Sequence, residues 1–298
     1  MEKPKEISTP MRAAATLTAP VFDVPAGSWD SHVHVFESES RYPSVDVPHY
    51  TLPDGPLDKL NAMCDQLGIA HYAIVQPSFY GTDNRCMLDA LDKAGDRARG
   101  VAMVHDGITP AELERMHERG VRALRLDMFL RRDWSLDDKI AYIEKCVSLT
   151  RHLGWHLQFY TPGYVVRELI PFFARLDIDF VIDHMGYMLE SDGLTRADFD
   201  RLLQTLQGGR GWLKLSGPYR IAKDGNYARL VPLAQAIVAA LPGRVVWGSD
   251  WPHIPNGGRD TGELLNMLAD WIPDAAVRKQ VLADNPSRLY GLSGLAST

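Results

Sequence analysis

The sequence predicts an α/β fold in which eight strand–helix units close into a (β/α)8 barrel of the TIM type. Short apolar runs alternate with segments of helical periodicity along nearly the whole chain. No obvious linker separates these strand–helix units. The alternative is an open, doubly wound sheet, but no glycine-rich dinucleotide fingerprint follows the first apolar run.

The units can be placed in order along the chain. Strands are expected at 29–36, 70–78, 100–105, 121–127, 155–160, 179–184, 211–216 and 244–249. Helices are expected at 57–67, 84–94, 109–120, 135–153, 164–174, 196–206, 227–240, 260–272 and 274–284. Gly68 and Gly154 fit the ends of two of these helices. The loops 37–56 and 186–195 are long, and long loops in compact domains tend to carry function.

The composition argues against some classes of partner and favours one cellular compartment. The formal net charge of −6 argues against a general nucleic-acid or anionic-membrane surface, so neither partner is expected. No apolar run approaches the roughly 20 residues that a membrane span needs. The cysteines have no paired spacing and favour a reducing compartment, so we expect a cytoplasmic protein: they are Cys64, Cys86 and Cys146. A homo-oligomer is compatible with this composition.

The chain divides into an arm and one domain. Residues 1–27 are rich in Pro, Ala and Thr and are expected to form an N-terminal arm, flexible unless it docks on a neighbour. Residues 28–298 then form a single barrel domain, of a size that barrels of this type commonly reach.

Three motifs place imidazoles and carboxylates at predicted strand ends. In the first strand His32 and His34 are two residues apart, so both side chains point to the same face. Two imidazoles on one face can bind a metal ion or an anionic oxygen. The sixth strand ends at His184 and the eighth ends at Asp250. In a barrel all these ends meet at one mouth, so residues far apart in the chain converge on one pocket.

Basic and aromatic residues lie at the same mouth. Arg125 stands near the end of the fourth strand and Tyr160 at the end of the fifth. Arg131 and Arg132 follow the fourth strand, and Arg220 follows the seventh. Guanidinium groups bind carboxylate or sulfonate with paired donors, and four of them exceed what an uncharged substrate needs. We therefore expect a small anionic substrate.

The sequence resembles the amidohydrolase superfamily, in the branch that holds 2-pyrone-4,6-dicarboxylate lactonases, 4-sulfomuconolactone hydrolases and several sugar lactonases. The segments that carry the resemblance span almost the full chain: 30–36, 75–84, 181–186, 247–253 and 285–290. The His-x-His and Trp-Gly-Ser-Asp-Trp-Pro-His blocks mark the superfamily. The block at 75–84 is typical of the lactonase branch.

The resemblance implies site residues. It makes His32, His34, His184 and Asp250 the catalytic cluster, which could also hold one Zn²⁺; metal-independent catalysis stays an alternative. A two-metal site is disfavoured because Arg125 and Tyr160 stand where metal-rich members have a lysine and a histidine, and Lys214 lies inside a strand. The substrate contacts implied are Arg125, one of Arg131 and Arg132, Tyr160 and Arg220, with looser matches at Tyr50 and Ser78.

The chemistry expected is opening of a lactone ring. Asp250 would take a proton from the attacking water, while the histidines stabilise the carbonyl oxygen directly or through a metal. A structural carboxylate paired with the histidines is the alternative role for Asp250. At the level of the whole protein, the alternatives are a zinc-dependent decarboxylase or lactone isomerase on the same fold, and a non-catalytic barrel that binds a metal or ligand.

Overall fold

A computed structural model describes residues 17–45, 52–188, 194–255 and 257–291, and all structural statements refer to these residues. Tyr50, one of the predicted substrate contacts, lies outside them.

Eight parallel strands follow one another around a barrel in sequence order. They are β1 Trp29–Val33, β2 His71–Val75, β3 Ala98–Ala102, β4 Val121–Asp127, β5 His156–Tyr160, β6 Phe180–Ile182, β7 Gly211–Leu215 and β8 Val245–Trp247. The seam between β1 and β8 is closed by backbone hydrogen bonds from Asp250 to His32 (2.9 Å) and from His34 to Trp251 (2.8 Å). The predicted (β/α)8 barrel is confirmed, and the doubly wound alternative is wrong because its strand order would not be sequential.

Helices surround the barrel. They are α1 Leu57–Leu67, α2 Arg85–Ala94, α3 Pro110–Glu118, α4 Leu136–Thr150, α5 Gly163–Phe173, α6 Arg196–Gly208, α7 Pro218–Ile221, α8 Val231–Ala240, α9 Thr261–Trp271, α10 Ala275–Lys279 and α11 Asn285–Leu289. Gly68 ends α1 with a φ of 72°, as its position predicted. The helix expected at 274–284 is α10 followed by a π-helical turn, Gln280–Asp284. None of the described helices is long and apolar enough to cross a membrane.

The described part of the N-terminal arm, residues 17–27, packs on its own barrel. The backbone N–H and the hydroxyl of Thr18 donate to the Asp260 carboxylate, and the N–H of Val21 donates to Asn266. At Gly262 a Cβ would lie 1.8 Å from the Thr18 carbonyl oxygen, so the arm needs glycine there. The arm therefore has a defined binding site beside the start of α9.

The inside of the barrel is unusually polar. Barrel interiors are commonly filled by layers of branched apolar residues. Here the buried interior also holds charged and polar side chains: Asp30, His32, Arg125, Gln158, Asp183, Lys214 and Asp250. Buried charges are costly unless they are paired, so this arrangement needs a compensating network. That network forms the site.

Candidate active site

The site centres on the seam between β1 and β8. The free carboxylate oxygen of Asp250, Oδ1, lies 3.6 Å from Nε2 of His32 and 3.4 Å from Nε2 of His34. Gly248 allows this approach, because a Cβ there would lie 2.6 Å from Cβ of His32. The convergence predicted from the sequence is therefore present at this end of the barrel, as a group of three buried side chains.

Two site residues have left-handed backbones. Asp250 has a φ of 64° and His184 has a φ of 51°. Such conformations cost a non-glycine residue about 1–3 kcal/mol each and persist only where the surroundings enforce them. His184 stands two residues after the end of β6, and Asp250 stands three residues after the end of β8.

The carboxylate of Asp250 is fixed by its second oxygen. The Tyr219 hydroxyl donates to Oδ2 at 2.5 Å, and Nε of Arg220 donates to the same atom. Oδ1 makes no hydrogen bond to any described residue. Burial alone would raise the pKa of Asp250, but Arg220 and the neighbouring histidines hold it well below its usual value. The result is an ionised carboxylate with one bound and one available oxygen.

His34 and His184 have different partners. Nδ1 of His34 donates to the Val75 carbonyl at 2.8 Å, so its Nε2 faces Asp250 as a lone pair when the ring is neutral. Nδ1 of His184 lies 2.9 Å from the Ser216 hydroxyl. Burial lowers the pKa of His184 to about 4, and it lowers the pKa of His34 as well. These rings are neutral at ordinary pH.

A buried ion pair lies beneath the histidines. Lys214 Nζ is 3.0 Å from Oδ1 of Asp183 and 3.3 Å from Nδ1 of His32, while Asp183 also accepts from Gln158 at 3.0 Å. The sequence predicted no role for Lys214 or Asp183. The available signal was a lysine within an otherwise apolar strand, two residues before Ser216, because that spacing points both side chains into the barrel.

The donor set at Asp250 fits a divalent cation. His32, His34 and Asp250 each offer a ligand atom within 4.8 Å of the others. Nε2 of His32 and Oδ1 of Asp250 are buried and have no hydrogen-bond partner among the described residues. Two imidazole nitrogens and a carboxylate suit Zn²⁺. The sequence predicted His184 in this group as well, but in the described structure it falls in a second group, with His32 and Asp183.

Arg125 provides the basic wall of the site. It is buried, its guanidinium lies 4.5 Å from the centre of the Tyr160 ring, and Nη1 donates to the Gln76 carbonyl at 2.6 Å. Its Nε has no partner in the described part of the chain. The Tyr160 ring lies 5.9 Å from the His184 ring. Arg125 and Tyr160 therefore lie beside the histidine cluster, and Arg220 is linked to it by its hydrogen bond to Asp250.

The other predicted substrate contacts have structural partners. The Ser78 hydroxyl donates to Oδ2 of Asp127 at 2.5 Å. The guanidinium of Arg131 lies 4.1 Å from the centre of the Tyr142 ring, on the α4 side of the loop. Arg132 donates to the Phe129 carbonyl, and about half of its side chain is exposed. Of the two adjacent arginines, Arg132 is the one with a side chain open to solvent.

The barrel and its histidine–aspartate cluster at the carboxyl ends of the strands define the class. The chain belongs to the amidohydrolase family, whose profile matches residues 29–292. This confirms the resemblance inferred from the motifs.

Particular relatives share nearly the full length. The chain is 35% identical to the 2-pyrone-4,6-dicarboxylate hydrolase of Comamonas testosteroni, over 93% of this chain and 94% of that protein. It is 33% identical to the 4-sulfomuconolactone hydrolase of Rhizobium radiobacter, over 95% and 96%. Among solved structures, a probable 2-pyrone-4,6-dicarboxylic acid hydrolase from Acinetobacter baumannii with citric acid bound superposes with a TM-score of 0.77 at 26% identity, covering 89% and 99% of the two chains.

Proposed function

We propose that this protein hydrolyses the ring ester of a small lactone that carries two or more anionic groups. One observation carries the proposal: an ionised, buried carboxylate presents a single available oxygen to a cluster of neutral imidazoles, beside two guanidinium groups. The relatives named as lactone hydrolases at 33–35% identity support the same reaction. A pyrone dicarboxylate and a sulfomuconolactone are the two substrate types to test.

The geometry supports a water-activation mechanism. Oδ1 of Asp250 takes a proton from water as the water oxygen bonds to the lactone carbonyl carbon. The carbonyl oxygen becomes an oxyanion that the neighbouring imidazoles face. When the bond to the ring oxygen breaks, that oxygen leaves with the proton held by Asp250. Tyr219 and Arg220 hold Oδ2 throughout, so the carboxylate keeps its orientation.

The substrate's anionic groups match the guanidinium groups. A buried N–H group without a hydrogen-bond acceptor costs free energy. Nε of Arg125 has no acceptor among the described residues, so a substrate anion there would be stabilising. Arg220 has five N–H donors, and the contact of its Nε with Asp250 does not exhaust them. Arg125 and Arg220 would thus bind anions on either side of the reacting carbonyl, with Arg132 available at the rim.

Zn²⁺ is compatible with the cluster. If bound, it would be held by His32, His34 and Asp250 and would supply Lewis-acid polarisation of the carbonyl and a more acidic water.

A lactone panel tests the proposal. The purified protein would be assayed with 2-pyrone-4,6-dicarboxylate, a muconolactone with a sulfonate group and a neutral lactone, following loss of lactone absorbance and release of CO₂. The assay would be repeated after chelation, with metal analysis on the same sample. We expect opening of an anionic lactone without CO₂. Release of CO₂ would support the decarboxylase alternative. Conversion of one lactone into an isomeric lactone would support the isomerase alternative. Inactivity on every lactone would support the non-catalytic barrel.

A further inference from the structure

Two side chains of one strand contact two of the site histidines. Lys214 of β7 and Ser216, just after it, are two residues apart, so both point into the barrel. Lys214 Nζ lies 3.3 Å from Nδ1 of His32, and Ser216 Oγ lies 2.9 Å from Nδ1 of His184. All four side chains are buried. Each contact therefore bears on which nitrogen of its imidazole carries the proton.

The lysine contact settles the proton of His32. An ammonium group donates hydrogen bonds and accepts none, so Nδ1 of His32 must be the acceptor. Burial lowers the pKa of Lys214, and the ion pair with Asp183 at 3.0 Å opposes that shift and favours the charged form. Asp183 Oδ1 is also 3.5 Å from the same ring nitrogen, which is farther than Lys214 Nζ and longer than an ordinary N–H···O hydrogen bond. A neutral His32 consequently carries its proton on Nε2.

The serine contact works in the same direction. Ser216 Oγ accepts the backbone N–H of His184 at 3.3 Å. A hydroxyl can accept a second hydrogen bond as well as donate one, but Nδ1 of His184 is the acceptor within reach of the Ser216 proton among the described residues, so we infer that the hydroxyl donates there. A neutral His184 then also carries its proton on Nε2.

We propose that Lys214 and Ser216 are positioning residues that hold His32 and His184 in the Nε2–H form, so that both rings offer N–H donors to the substrate's carbonyl oxygen. This deepens the proposed lactone hydrolysis and rests on it. Nε2 of His32 is buried without a partner among the described residues, so an N–H there would be available to donate to a substrate oxygen. His34 is the contrast, because its Nδ1 proton is given to Val75 and its Nε2 stays a lone pair.

The same arrangement opposes metal binding by His32. Ligation through Nε2 needs a lone pair there, so the proton must move to Nδ1 and be accepted by Asp183 after Lys214 releases the ring. Removing Lys214 should therefore strengthen Zn²⁺ binding by removing both a competing donor and a positive charge. Arg125→Met removes a positive charge from the site without touching Nδ1 of His32, and so separates the two effects.

The test is ¹⁵N NMR of the metal-free, full-length chain labelled at histidine, because the shifts of a ring's two nitrogens distinguish its tautomers. His32→Asn and His184→Asn identify the two sets of signals. In the wild type we expect a protonated Nε2 and an unprotonated Nδ1 on both rings. Any other protonation state of either ring overturns the proposal. This measurement needs no variant at Lys214, so it stands even if such a variant does not fold.

Variants test each contact separately. Lys214→Met should move the His32 proton to Nδ1 and leave His184 unchanged, whereas Arg125→Met should leave both tautomers unchanged. Ser216→Ala removes the donor to His184 alone. An unchanged His32 pattern in Lys214→Met contradicts the assignment to Lys214.

Kinetics provide a readout that separates this proposal from the function. Loss of one oxyanion donor should lower kcat of Lys214→Met on an anionic lactone about 10²-fold, with KM changed less than about threefold. A kcat equal to that of the wild type would contradict a positioning role. If the NMR pattern holds and no lactone is opened, the proposed function fails while the tautomer assignment remains.

Discussion

The Tyr219 hydroxyl donates a 2.5 Å hydrogen bond to Oδ2 of Asp250, and both side chains are buried. Tyr219 and Arg220 are adjacent on the short helix α7, which begins at Pro218. This single turn therefore fixes one oxygen of the carboxylate and leaves the other facing His32 and His34. The roles of the two oxygens follow from this relationship.

The first prediction concerns this hydrogen bond. Tyr219→Phe removes a donor to an ionised group, an interaction worth about 1.5–3 kcal/mol, so kcat/KM should fall about 10- to 100-fold. Tyr42→Phe is the matched control, because its hydroxyl donates to Asp89 at 2.7 Å on the outside of the barrel. Steady-state kinetics on the same lactone compare the two. Equal effects from both variants would contradict a role for Tyr219 in holding Asp250.

The second prediction separates charge recognition from catalysis. Arg125→Met should raise KM for an anionic lactone far more than for a neutral one, since we propose that the lost guanidinium binds the substrate anion, and its described contacts are to Tyr160 and Gln76 and not to Asp250. Arg132→Met, at an exposed position, should change KM less. Arg220→Met is a less specific probe because Arg220 also holds Asp250. KM values that shift alike for charged and neutral substrates would show that Arg125 does not recognise the anion.

The third prediction tests the docked arm. Gly262→Ala places a methyl group against the Thr18 carbonyl, so the arm must move and the protein should lose about 1–3 kcal/mol in its free energy of unfolding. Gly208→Ala at the end of α6 is the control, because nothing lies within 4 Å of the added carbon. Urea denaturation measures both. A Gly262→Ala chain as stable as the wild type would mean that the arm contributes nothing to stability.

The sequence was sufficient for the barrel because each strand is a compact apolar run and each unit packs beside the next. The His-x-His spacing and the aspartate after β8 were also readable, since alternation and barrel closure dictate where they point. The roles of Lys214 and Tyr219 could not be predicted from the sequence. Lys214 interrupts an apolar run, and its partners Asp183 and His32 adjoin it only through the tertiary fold.

The substrate-contact predictions show the same limit. Arg125 lies on a strand, and its position follows from the alternation of side chains. Arg131 lies in a loop, and its contact with the Tyr142 ring of α4 depends on how that loop folds back. Ser78 is likewise held by Asp127, which also accepts the N–H of Leu130 at the start of the same loop. Loop residues near a mouth can be recognised from sequence, but their partners cannot.

The fourth and central prediction is that Asp250 is the proton acceptor. Asp250→Asn keeps the size of the side chain and removes its basicity, so the fold should persist while kcat for ring opening of an anionic lactone falls about 10²- to 10⁴-fold. The most direct measurement is kcat of this variant beside the wild type, with circular dichroism confirming the fold. A folded Asp250→Asn enzyme that keeps more than about a tenth of the wild-type kcat, far less than the loss of a general base costs, would contradict the account.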